Sequence, residues 1–277
     1  MQREKIIFMA GLPRSGSTLL GALLNQNPRI HTEPASPAMD FVMAINKSVE
    51  KNEHYAAYPK QQSVFAVVQS LFQAYYWHSP KPVVFDKNRG WPGQIKGLEQ
   101  CVVPKAKIIC PVRNIDAVLA SFLKIAKANP FNAETGRLNF IDHSLLLINK
   151  PINDESRCEL ILSDKGMIGQ CMGAMQDAVK QGFRDRLHFV EYDLLVKDPQ
   201  LALDGIYNFI EEEPFTEHDF GNINNEYREK DNEVFSVPTL HEIAPTIKKS
   251  KTNPKMVLPE RFYKECQGKE FWRSLDS

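Results

Sequence analysis

An unbroken apolar run, Ile6-Ile7-Phe8-Met9-Ala10, passes directly into Gly11-Leu12-Pro13-Arg14-Ser15-Gly16-Ser17-Thr18 and then into Leu19-Leu20. A buried strand, a glycine-bracketed loop and a helix start in that order make the architecture of a phosphate cradle, with inward-facing backbone N–H groups and a helix N-terminus aimed at one anion. Leu19, Leu20, Leu23 and Leu24 recur at helical spacing, and Asn25-Gln26-Asn27-Pro28 supplies a stop, so the pattern predicts a helix over 17–26. Gly11 and Gly16 have the spacing of a Walker loop, yet Ser17 occupies the place of its lysine. In a nucleotide triphosphatase that lysine reaches the β and γ phosphates, so its absence argues for a shorter phosphate chain.

The rest of the chain extends the same grammar. Residues 38–49, 63–77 and 91–101 place apolar side chains at helical intervals. Pro82-Val83-Val84-Phe85-Asp86 and Lys107-Ile108-Ile109-Cys110-Pro111-Val112 read as buried strands ending in Lys87 and Arg113, and Asn114 is placed to cap a following helix. Helices over 164–181 and 199–211 flank a strand running from Leu187 to Tyr192. The segment 129–163 reads as a polar excursion with one apolar island at 145–148. Strands alternating with helices predict an α/β, three-layer, P-loop-like fold, its central parallel sheet covered by helices on both faces. Such sheets bind ligands at the carboxyl ends of their strands, where Arg14, Lys87, Arg113 and Tyr192 fall.

No linker-like composition divides the 277 residues, which predicts a single domain over 1–277. Lys plus Arg and Asp plus Glu each number 34, so the expectation is no nucleic-acid partner and an anion site built from local groups. The five cysteines follow no paired spacing and read as reduced core thiols, hence a cytoplasmic chain without zinc. His143, His188, His218 and His241 lack metal-ligand spacing, and no segment predicts a membrane span or a secretory leader.

Arg113 at a strand end and Ser121 two helical turns later offer a guanidinium fork and a hydroxyl to one phosphate. Together with the first loop, this pattern resembles the sulfotransferase family, closest to its tyrosylprotein and bacterial-type branches. Members move a sulfuryl group from 3′-phosphoadenosine 5′-phosphosulfate (PAPS) to an acceptor hydroxyl. The resemblance makes Pro13, Arg14, Ser15, Gly16, Ser17 and Thr18 the 5′-phosphosulfate loop, with Arg14 also acting on the transferring group. It makes Arg113 and Ser121 the 3′-phosphate site and places Tyr192 near the nucleotide. Val84-Phe85-Asp86-Lys87-Asn88 resembles the strand end bearing the family's active-site lysine, so Lys87 would stabilise the leaving oxygen.

For the base the candidates are Glu33, which matches the glutamate of the tyrosylprotein branch, and His31, since imidazole is the commoner base. Trp91 is placed either to stack on adenine or to pack in the core. Downstream, Ser236 or Thr239 and Lys248, Lys249 or Lys251 compete for a serine and a lysine near the cofactor. Segments 129–163 and 222–277 are expected on the acceptor side or as a lid. A sulfuryl group carries less charge than a phosphoryl group, so no metal is expected. The acceptor is left as a peptide, carbohydrate or small molecule, and a homodimer is compatible with the sequence. Two alternatives remain: an ATP-dependent P-loop phosphotransferase, with Asp86 as the Mg²⁺ ligand, and a non-catalytic nucleotide-binding protein.

Overall fold

Parallel strands cannot be joined by tight turns, and each crossover needs a helix that lies on one face of the sheet. The computed structural model describes residues 4–224, 231–238 and 240–275 and follows this rule throughout. Strands β1 (Lys5–Met9), β2 (Ile30–Thr32), β3 (Val83–Lys87), β4 (Ile108–Val112) and β5 (Leu187–Glu191) form one parallel sheet in the order β2-β3-β1-β4-β5. Because β1 is central, the chain winds to one side and then to the other, and the switch point lies at the loop after β1.

Strand alternation sorts the core into two layers. On one face Ile7, Met9, Val83, Phe85 and Ile109 pack against α1 (Ser17–Asn25), through Leu20, Leu23 and Leu24, and against α11 (Pro199–Ile210), through Leu203 and Ile206. On the other, Ile6, Phe8, Val84, Ile108 and Cys110 share a core with α4 (Gln61–Tyr75), α5 (Ile95–Cys101), α6 (Ile115–Ala128) and α9 (Met167–Lys180). The predicted three-layer fold with helices on both faces is therefore what the chain adopts.

The sequence pattern missed several elements. The edge strand β2 was not predicted, nor was the short α3 (Glu53–Ala57) that follows α2 (Ala38–Lys51). Residues 129–163 are not an excursion from the main fold: α7 (Phe140–Leu147) and α8 (Asp154–Leu162) bring Ile141, Cys158 and Ile161 into the main core. Their charges are satisfied inside, because Arg157 grips Asp142 with Nε at 2.7 Å and Nη2 at 2.8 Å while Asn139 donates to the same carboxylate at 2.9 Å. The fifth strand stops at Glu191, and Tyr192 opens α10 (Tyr192–Lys197) instead of ending the strand. At the start of α6 the Asn114 side chain caps nothing; Glu270, from the C-terminal segment, accepts the Ile115 N–H at 3.0 Å, and Asn114 Oδ1 accepts from Arg273. The C-terminal stretch adds α12 (Asp231–Phe235), α13 (Pro254–Val257) and α14 (Glu260–Cys266). All five cysteines are free and four are buried, as reduced core thiols should be. Among the described residues no helix is long and apolar enough to cross a membrane.

Candidate active site

Register decides what meets at the strand ends. Met9 pairs with Lys87, so Lys87 stands level with the start of the first loop. Val112 pairs with Glu191, so Arg113 and Tyr192, one residue further on, stand side by side. Thr32 pairs with Phe85, so Glu33 emerges one residue short of Lys87. All five strands thus deliver a residue singled out from the sequence to one edge, at the strand spacing of about 4.8 Å.

The first loop is fixed to the neighbouring strand. Gly11 has φ +86°, and a Cβ there would lie 2.3 Å from the Pro111 carbonyl oxygen, so only glycine lets the loop cross β4. Leu12 N–H donates to that same carbonyl at 2.8 Å. The Ser15 hydroxyl, fully buried, donates to the Leu12 and Pro111 carbonyls at 2.5 and 2.9 Å, so Ser15 anchors the loop and its oxygen is not presented to a ligand. Pro13 is also buried. Gly16, at φ +83°, is the N-cap of α1, and no side chain caps the helix. Its first N–H groups therefore lack intrahelical acceptors and remain for an anion.

Four cations converge on this loop. Arg14 donates through Nε to Ser121 Oγ at 3.3 Å and through Nη1 to the Leu240 carbonyl. Arg113 donates through Nη1 to the Arg14 carbonyl at 3.2 Å and lies over the Tyr192 ring, 4.1 Å from its centroid. Arg14 is thereby drawn toward Arg113 and Ser121, joining the two anion-binding motifs on one rim. Tyr192 supports the cluster from below, its hydroxyl accepting the Ser250 N–H at 3.2 Å. The Lys87 ammonium is pushed down to about 7 by burial and then by the charges of Arg89 and Arg14. Arg14 itself is lowered by burial and by Arg113 and Arg89. Such mutual repulsion is relieved when an anion binds.

These groups line a cavity of about 680 Å³ that runs from Gly16, Ser17 and Thr18 past Lys87 to Arg113, Ser121 and Tyr192. A second cavity, of about 480 Å³, meets it at Ser17, Thr18 and Pro34 and carries His31 and Glu33 on its wall. Glu33 Oε1 lies 3.3 Å from Nε2 of both His31 and His78, and Oε2 accepts from the Tyr75 hydroxyl at 3.4 Å. Burial raises the Glu33 pKa, but the hydrogen bond and charge of His31, then His78 and Tyr75, outweigh it and leave the carboxyl below its ordinary value.

Three points that the sequence left open are narrowed by the structure. Trp91 is fully buried and donates to Asp86 Oδ1 at 2.8 Å, so it packs in the core and does not stack on a base. Asp86 is buried too; it also accepts from Ser36 at 2.7 Å and Tyr76 at 2.9 Å, and it lines neither cavity. It is a structural acceptor on the opposite face of β3 from Lys87 and is not placed to hold Mg²⁺ beside the loop. Ser236 is buried against Thr135, Lys249 pairs with Asp193 at 2.8 Å, and Lys248 and Ser250 line the larger cavity, while Thr239 lies outside the described residues. Sequence reasoning missed Arg89, two residues past the lysine, and His78, whose approach to Glu33 depends entirely on the pairing of β2 with β3.

A parallel sheet with an uncapped glycine loop at its switch point and a basic rim beyond it defines a P-loop-type α/β protein that holds an extended anion. A model of the sulfotransferase family matches residues 7–154, more than half of the chain, and the protein belongs to that family. Solved structures agree on the fold. The sulfotransferase domain of the curacin biosynthetic pathway is 18% identical with a TM-score of 0.60, covering 99% of each chain. The sulfotransferase domain of the Synechococcus PCC 7002 olefin synthase is 18% identical at TM-score 0.54, over 98% of this chain and 95% of that one. A mouse sulfotransferase complexed with PAP is 16% identical at TM-score 0.57, over 99% of this chain and 88% of that one. A search of curated proteins gave no significant match.

Proposed function

We propose that this sulfotransferase uses PAPS as donor and sulfates the hydroxyl of a polar acceptor, a peptide, a carbohydrate or another small molecule, seated in the smaller cavity. The observation that carries the reading is the shared rim: Arg113 reaches the Arg14 carbonyl at 3.2 Å and Arg14 reaches Ser121 at 3.3 Å, so two motifs remote in sequence bracket one nucleotide-sized cavity. In this reading the α1 N-terminus with Ser17 and Thr18 holds the 5′-phosphosulfate and Arg113 and Ser121 hold the 3′-phosphate, while Arg14, expected at the 5′ group, bridges the two through its hydrogen bond to Ser121.

The acceptor oxygen attacks sulfur from the side of the smaller cavity, forming the new S–O bond as the bond from sulfur to the 5′-phosphate oxygen breaks. Lys87, protonated, offsets the charge gained by that phosphate oxygen, a contribution made mainly in the transition state. The hydroxyl proton passes to Glu33, with His31 hydrogen-bonded to the same oxygen as its partner. Lys, Arg and backbone dipoles supply the positive charge, and no step requires a metal. From the segments expected on the acceptor side, Asn222 and Asn224 line the smaller cavity, whereas Phe140, Phe235 and residues between Leu240 and Ser250 line the nucleotide cavity.

The test is a thermal-shift comparison followed by transfer of radiolabelled sulfate. 3′,5′-Adenosine bisphosphate (PAP) raises the melting temperature and ATP with Mg²⁺ does not, since only a ligand of the native state shifts it. The reverse result sinks the proposal. With PAPS and a pooled acceptor library, Glu33→Gln keeps nucleotide binding and loses turnover; equal turnover moves the base to His31.

A further inference from the structure

His31 and Glu33 are two residues apart, and the strand period turns both to the same side at the end of β2. His78 arrives from elsewhere, in the turn between α4 and β3. The result is a carboxylate oxygen with an imidazole nitrogen 3.3 Å away on each side. A tetrahedral Zn²⁺ bonds histidine nitrogen at about 2.0–2.1 Å and carboxylate oxygen at about 2.0–2.2 Å, so its ligand atoms stand about 3.3–3.4 Å apart along each edge. The two edges to Glu33 Oε1, at 3.3 Å each, have that length, and all three ligand atoms lie within 4.8 Å of one another.

The surroundings also suit a metal. The His31 ring, largely buried, meets Tyr76 edge-on at 5.8 Å, and the His78 ring, 5.5 Å from His31 and 6.4 Å from Tyr76, packs beside it at the cavity edge. Tyr75 hydrogen-bonds the other carboxylate oxygen, Oε2, leaving Oε1 as the metal-facing atom. All three residues line the smaller cavity, which leaves the fourth corner of the tetrahedron open to water. Among the described residues this is the one such convergence of three histidine, cysteine or acidic side chains.

We propose that His31, Glu33 and His78 form a Zn²⁺ site that switches the enzyme off by occupying Glu33 Oε1. Metal binding stands on the geometry alone; the inhibitory consequence rests on Glu33 being the proton acceptor. The histidines bind as neutral imidazoles and the carboxylate as its anion, so the ion enters without any redox change, displacing protons where they are held.

The test uses the full chain with ZnCl2 alone, measured by competition with a chromophoric chelator, and Co²⁺ as a spectroscopic probe. The expected result is one Zn²⁺ per chain and the intense visible bands of four-coordinate Co²⁺. His78→Ala weakens Zn²⁺ at least tenfold while its PAP-induced thermal shift persists, and Cys101→Ser leaves Zn²⁺ affinity intact. Unchanged affinity in His78→Ala, or loss of binding in Cys101→Ser, overturns the site. In a transfer assay, Zn²⁺ slows turnover in competition with acceptor and EDTA restores it. Zn²⁺ that binds with the expected ligands yet leaves turnover unchanged overturns the inhibitory role and, with it, Glu33 as the base.

Discussion

Replacing Arg113 with alanine separates recognition of the 3′-phosphate from recognition of the rest of the nucleotide. The guanidinium spends one N–H on the Arg14 carbonyl at 3.2 Å and one face on Tyr192 at 4.1 Å, leaving the remainder of its fork toward the cavity. Two charge-assisted hydrogen bonds to a phosphate contribute about 1.5–3 kcal/mol each. Because the side chain is only half-buried, a net value near the lower sum, about 3 kcal/mol, is appropriate, and it corresponds to a change in Kd on the order of 10²-fold. AMP lacks the 3′-phosphate, so its affinity should barely change. Calorimetry of PAP and AMP against wild type and Arg113→Ala closes a thermodynamic cycle whose coupling term is that 10²-fold factor. Loss of the contact with Tyr192 costs the fold only about 1 kcal/mol. If AMP and PAP weaken by the same factor, Arg113 does not face the 3′-phosphate and the arrangement of the nucleotide is wrong.

Lys87, at about 7 in the free protein, should take up a proton when a nucleotide binds above that pH, so PAP affinity falls as pH rises from 7 to 9 and calorimetry in buffers of different ionisation heat detects the uptake. Lys87→Met flattens the profile. In the ligand-free protein the sign for folding is opposite: between about 7 and 10.5 the unfolded chain binds a proton at Lys87 that the native chain lacks, so this group's contribution to stability rises with pH across that window. Asp142→Ala strands the buried Arg157 guanidinium and should cost about 3–5 kcal/mol by urea denaturation, whereas replacing both partners with apolar residues recovers most of the loss. Gly11→Ala should fail to fold or lose more than about 3 kcal/mol, because its Cβ meets backbone at 2.3 Å with φ at +86°; Gly16→Ala, which meets the Tyr192 ring at 3.1 Å, should cost about 1–2 kcal/mol.

What could be read from the sequence was whatever is encoded locally. The strand–loop–helix at the N-terminus is specified by five apolar residues, two glycines and a leucine repeat, all within one stretch. Lys87 and Arg113 were visible because an apolar run ending in a charge marks where a buried strand meets solvent. β2 was not visible: it has three residues, follows Asn27-Pro28-Arg29, and exists because β3 offers it a partner far along the chain. The polar character of 129–163 misled for a related reason, since Asp142 and Arg157 look like surface charges until the fold pairs them inside. Trp91 and Asp86 showed the same ambiguity. A tryptophan four residues after a lysine can face a ligand or the core, and only the buried acceptor at Asp86 decides it.

The chain carries no net charge, yet Arg14, Lys87, Arg89 and Arg113 crowd one strand edge, and among the described residues none of them makes an ion pair. The two acids that the same strand ends carry, Asp86 and Glu33, are held elsewhere. Asp86 is turned to the far face of β3 with three donors around it, and Glu33 is claimed by two imidazoles and a phenol. The alternation of β3 is what permits this, because it sends Asp86 and Lys87, adjacent in sequence, to opposite sides of the sheet. An extended anion can therefore enter the larger cavity without displacing Asp86 or Glu33, and the repulsion stored in the cations becomes part of its binding energy. Reversing that alternation by exchanging residues 86 and 87 would bury an ammonium among three hydrogen-bond donors and place a carboxylate beside the loop. Such a double variant should lose both stability and nucleotide binding, while Lys87→Met, with Asp86 intact, should keep its stability and lose only the pH-dependent share of PAP affinity that Lys87 supplies. A Lys87→Met protein that melts as low as the exchanged one would show that Lys87 holds the fold together and that its place at the cavity is incidental.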